Sequence, residues 1–104
     1  MSLYRAILAR YARGANPGEI AHVRGMAVAH ETVRLLKAVG PTPTRAAVVA
    51  LLAKLRDAAN PFLLPGIVVR TSATERFPIQ QAQLRRHTRG SWKRFGGLWD
   101  LSGG

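Results

Sequence analysis

Asn60-Pro61-Phe62-Leu63-Leu64-Pro65-Gly66-Ile67-Val68-Val69-Arg70 opens the stretch, running on to Gly97, whose reading decides the fold. Pro61 clashes with a helical predecessor, so Asn60 is extended or turning. Pro65-Gly66 is a turn pair. Ile67-Val68-Val69 is a β-branched run suited to a strand. Residues 79–87 and 92–95 then bracket Thr88-Arg89-Gly90-Ser91, which predicts an antiparallel hairpin. Along its first strand Ala82, Leu84 and Arg86 share one side, with Gln81, Gln83, Arg85 and His87 on the other. On the second, Trp92 and Arg94 oppose Lys93 and Phe95. Gly96-Gly97 ends that strand or lets it bulge.

Upstream the pattern is helical. Leu3, Tyr4, Ile7, Leu8 and Tyr11 recur at helical spacing over residues 1–12, with Ser2 as a possible N-cap and Gly14 as a stop. Residues 19–39 form the longest helical pattern, with Ile20, Val23, Met26, Ala27, His30, Val33 and Leu36 on one stripe and Gly40-Pro41 at its end. Thr44 is a plausible N-cap for a third helix over residues 45–57, carrying Val48, Leu51, Leu52 and Leu55 as its buried stripe. The short connector predicts that the second and third helices pack as a hairpin and make the main core. Phe62, Leu63 and Leu64 read as a loop plug against them. The fold class expected is α+β: three helices, then about three short strands ending in an antiparallel hairpin. The helical part covers residues 1–59 and the strand part 60–99.

Composition narrows the function. The 104 residues allow one domain with a modest core. An apolar content of 47% is that of a globular chain. The absence of cysteine excludes disulfides and thiolate metal sites. No export signal is visible and no apolar run is long enough to span a bilayer. As given, the chain therefore reads as cytoplasmic.

Sixteen Lys and Arg against five acids give a net charge of +11, which favours phosphate-rich or anionic partners. The acids are scattered, with no carboxylate pair suggested. There is no Cys nucleophile, His-Glu-x-x-His or Gly-x-Ser-x-Gly. No catalytic residue, cofactor or metal is expected. His22 and His30 lie about 12 Å apart along a helix, too far for one ion. His30 and Glu31 are adjacent and do not face each other, so His30 reads as a hydrogen-bonded, half-buried side chain.

The pieces at residues 60–67, 71–75, 78–84 and 92–96, with Val39-Gly40-Pro41-Thr42-Pro43-Thr44-Arg45 ahead of them, carry a family resemblance. In that order and spacing they resemble the C-terminal end of the substrate-binding proteins of branched-chain amino-acid-type ABC transporters, the bilobed type I periplasmic binding proteins. Ala73, Glu75 and Ala82 depart from the usual Pro, Asp and Met. The resemblance implies a truncated domain from a much longer, extracytoplasmic protein. Its role would be to capture an amino acid or similar small molecule and deliver it to an ABC permease. It also implies that His22 and Arg24 lie nearest the inter-lobe cleft as ligand contacts. A fragment of this kind, with uncovered faces, is expected to be a homo-oligomer.

A second reading needs no family. Arg85, Arg86, Arg89, Lys93 and Arg94 crowd the hairpin with no acid among them, and Trp92 and Phe95 are interleaved. That is the composition of a nucleic-acid-binding surface.

Overall fold

A computed structural model describes residues 2–102 of the chain. It is α+β: α1 (Ser2–Tyr11), α2 (Ile20–Val39), α3 (Arg45–Leu52), then β1 (Arg56–Asp57), β2 (Val69–Arg70), β3 (Gln81–Thr88) and β4 (Ser91–Asp100). The expected order of three helices, strands and a C-terminal antiparallel hairpin is found. The four strands make two separate antiparallel pairs, β1 with β2 and β3 with β4.

Local signals explain the helices. Ser2 is already inside α1, and Met1 lies outside the described residues. Gly14, at φ 88°, follows α1. The Asn16 side chain then accepts from the Gly18 amide at 2.9 Å, and the Tyr4 hydroxyl donates to the Pro17 carbonyl at 3.0 Å. α2 ends at Gly40, whose φ of 93° suits glycine and whose N–H returns to the Leu36 carbonyl. The Thr44 hydroxyl accepts from the Ala47 amide at 3.1 Å and starts α3 as expected.

α3 departs from expectation. It stops at Leu52 rather than continuing to Asp57, and none of its residues is buried. The cause is competition for its backbone. The Thr71 hydroxyl donates to the Leu52 carbonyl and accepts from the Leu55 amide. The Thr71 amide donates to the Leu55 carbonyl. Arg56 and Asp57 then pair with Arg70 and Val69 instead of winding another turn. The predicted strand at Ile67–Val69 is accordingly reduced to Val69–Arg70.

The core is also displaced. α2 and α3 do touch, but the buried cluster comprises Tyr4 and Leu8 of α1, Ala27 of α2 and Phe62 of the loop. Ile7, Val23, Met26 and Leu63 surround it. The loop plug read from the sequence is therefore the keystone, and the helical hairpin is not. The core is thin: among the described residues no side chain is wholly enclosed. The radius of gyration is 16.3 Å, against about 13 Å for a compact domain of this length. The molecule is a slab of 52 × 42 × 17 Å.

β3 begins two residues later than expected and ends one later, whereas β4 is longer than expected and runs past Phe95 to Asp100. Thr88 pairs with Ser91, leaving a two-residue loop with Arg89 at φ 50° and Gly90 at φ 77°. Positive φ at both positions is the I′ turn that matches strand twist. Between the Gln83–Leu98 and Arg85–Arg94 pairs, β4 carries two extra residues. The Gln83 side-chain amide donates to the freed Phe95 and Gly96 carbonyls at 3.0 and 3.3 Å. Of the two outcomes read at Gly96-Gly97, an end or a bulge, the structure shows the bulge, with Gly96 at φ 66°.

The hairpin is fastened at its root. The Gln81 side chain accepts from the Val68 amide at 2.6 Å and donates to the Gly66 carbonyl at 3.2 Å, standing in for a strand. Leu98 lies so close to Gly66 (φ 89°) that a Cβ there would come within 2.6 Å of its Cδ1. The Arg70 guanidinium reaches both Asp100 carboxylate oxygens at 3.1 Å and also the Ser102 hydroxyl.

Candidate functional site

Three places concentrate chemistry: a polar cluster beneath α2, an apolar cleft beside it, and the basic hairpin. In the first, His30 and Glu31 of α2 meet Asp57 of β1. The His30 Nε2 is 3.4 Å from Asp57 Oδ2. The Arg34 guanidinium is 3.1 Å from the same oxygen and 3.3 Å from Glu31 Oε2. Asn60 completes the group. Its amide donates to Glu31 Oε1 at 2.8 Å and to the Ala27 carbonyl at 3.2 Å, while its own oxygen accepts from the Phe62 amide.

The absence of a carboxylate pair read from the sequence is corrected here. Glu31 and Asp57, far apart in the chain, are brought into one cluster by the turn after α3. His30 is half-buried as expected, and its ring meets Phe62 edge-on at 6.1 Å. Helical spacing alone could not find this cluster, because its partner acid lies beyond the helix.

Asp57 is buried. Burial pushes its carboxyl up. The Ala59 amide, the Glu31 side chain, Arg34 and His30 together outweigh that and hold it below its ordinary value. His30, Glu31 and Asp57 offer three ligand atoms within 4.8 Å of one another. A metal ion would have to displace Arg34, which already supplies a cation to both carboxylates. The cluster contains no hydroxyl or thiol nucleophile. Chemically it is a clasp that ties residues 57–62 to α2.

Beside the clasp lies a cleft of about 240 Å³, walled by Val28, Leu35, Leu52, Leu55, Leu63 and Ile79 among others. Glu31 and Asn60 stand at its edge, and their polar groups are already engaged with each other. It suits an apolar occupant and presents no array of donors for a zwitterion. His22 is half-buried and Arg24 exposed. Neither lines this cleft, whose α2 wall begins at Ala27. The structure does not bring the two into a shared site. The polar run 71–77 is spent internally: the Ser72 hydroxyl accepts from the Glu75 amide at 3.0 Å, and the Ser72 amide donates to the Glu75 carbonyl.

The hairpin does assemble its predicted residues. Cross-strand pairing sets Arg85 opposite Arg94, Arg86 opposite Lys93 and His87 opposite Trp92. All are exposed, with Arg89 at the turn. Comparison with protein-family models, curated proteins and solved structures found no match to the chain.

Proposed function

We propose that this chain is the closing portion of a solute-binding protein of the branched-chain amino-acid ABC transporter type. In this reading it has no catalytic role and supports a ligand chamber that other chain completes. The intact protein would capture an amino acid or similar small molecule and pass it to its permease. His22 and Arg24 would face the opening between lobes.

The observation that carries this reading is the amount of apolar surface left uncovered. Among the described residues Ile20, Val28, Val33, Leu36, Val49, Phe77 and Ile79 are exposed. They lie on a slab 17 Å thick, beside an open apolar cleft. Surfaces of that kind are normally covered by more protein. The motif order at residues 60–67, 71–75, 78–84 and 92–96 supplies the family. Among the described residues no helix is long and apolar enough to cross a membrane.

A two-lobed chamber needs both lobes, so the chain alone should bind solute weakly. Calorimetry with leucine, isoleucine and valine is expected to give no heat of binding at micromolar protein. Micromolar affinity in the isolated chain refutes the proposal.

A further inference from the structure

The tip of the β3–β4 hairpin is built against its own stability. Two like-charged pairs face each other directly, Arg85 with Arg94 and Arg86 with Lys93, and such pairs destabilise a ladder. The turn places Arg89, a residue without glycine's freedom, at φ 50°. No acid occurs between Arg76 and Trp99 to offset these charges. A surface that concentrates repulsion in this way is relieved by an anionic partner.

The two faces are not equivalent. On one, the Arg86 guanidinium lies 4.8 Å from the centroid of the Phe95 ring and covers it. That aromatic face is already taken by a cation. On the other face Trp92 is 65% exposed. It is tilted against His87 at 5.1 Å, with Arg85 and Arg94 as the next cross-strand pair. An exposed indole with two arginines one pair along on the same face, one of them (Arg94) bordering the hollow over residues 58–67, offers a base a stacking surface and its neighbouring phosphates two charge-assisted contacts.

We propose that the Arg85–Arg94–Trp92 face, with Arg89 at the turn, binds single-stranded nucleic acid, while the Arg86–Lys93 face does not contact it. A paired duplex hides the faces of its bases and could not use the indole. This site is independent of the solute-binding reading and stands or falls separately.

The test uses the full chain and a fluorescein-labelled twelve-residue oligothymidylate, followed by anisotropy and tryptophan fluorescence. Three phosphate contacts predict a log–log salt slope of about −2. R85Q/R94Q and R86Q/K93Q remove the same charge from opposite faces. The first is expected to weaken binding at least tenfold and the second less than threefold. Trp92→Ala should lose about tenfold, and Trp92→Phe, which keeps a ring, should retain most of the affinity. Circular dichroism of each variant checks that the hairpin still forms. Equal losses from the two double variants overturn the proposal, because they indicate attraction to net charge alone. So does tighter binding to phosphatidylserine vesicles, to polyglutamate or to the matching duplex, or no binding at all.

Discussion

Asp57 ties α2 to the turn that follows α3. Its Oδ1 accepts from the Ala59 amide at 2.9 Å, and Oδ2 faces Arg34 and His30. Because its pKa is lowered in the folded state, the linkage has a definite sign. The stabilisation is complete above the ordinary carboxylate value and is lost as pH falls through the lower folded value. Acid titration of the native chain should therefore show a loss of stability below the ordinary Asp range. Asp57→Asn should flatten that part of the profile, measured as urea midpoint against pH; an unchanged slope would remove Asp57 from this role. Little of this was legible beforehand. His30 could be read as half-buried from its place on the stripe, but the acid that faces it arrives by a turn that helical periodicity cannot register.

Elements were read better than their limits. Gly40, Thr44 and the Pro65-Gly66 turn carry backbone or capping chemistry that acts locally, and each appears where the sequence places it. Helical spacing overruns the end of α3 because Leu55 continues the apolar pattern, whereas the Thr71 hydroxyl captures the Leu52 carbonyl and the Leu55 amide. The hairpin was legible from its alternation and its Arg-Gly turn. Its bulge depends on the Gln83 amide, which spacing cannot reveal. At this scale the turn can be tuned. Asn tolerates the left-handed region better than Arg, so Arg89→Asn should stabilise the hairpin by about 0.5 kcal/mol. Thermal denaturation followed by the fluorescence of the two β4 tryptophans, Trp92 and Trp99, would show a higher midpoint. A lower one would mean that Arg89 makes a contact worth more than its backbone cost.

The molecule as a whole leaves an apolar cleft open and large apolar side chains of α2 and α3 exposed. On the proposed reading, the cleft and the exposed residues of α2 and α3 would be covered by the rest of a bilobed protein or, in its absence, by another copy. Sedimentation of the purified chain should show a dimer or larger species whose population grows with concentration. A compact monomer at high concentration would contradict this, and would require the open faces to be tolerated by charge repulsion at +11.

The hairpin's attachment has a mechanical side. Gln81, Leu98 and Arg70 grip it near its base, so the ribbon beyond them is a cantilever. A load applied at Arg89 becomes a torque on the Gly66 loop, a few residues from Phe62 and the helices it packs against. Whatever grasps the far end therefore pulls, through a short lever, on the buried cluster of Tyr4, Leu8, Ala27 and Phe62.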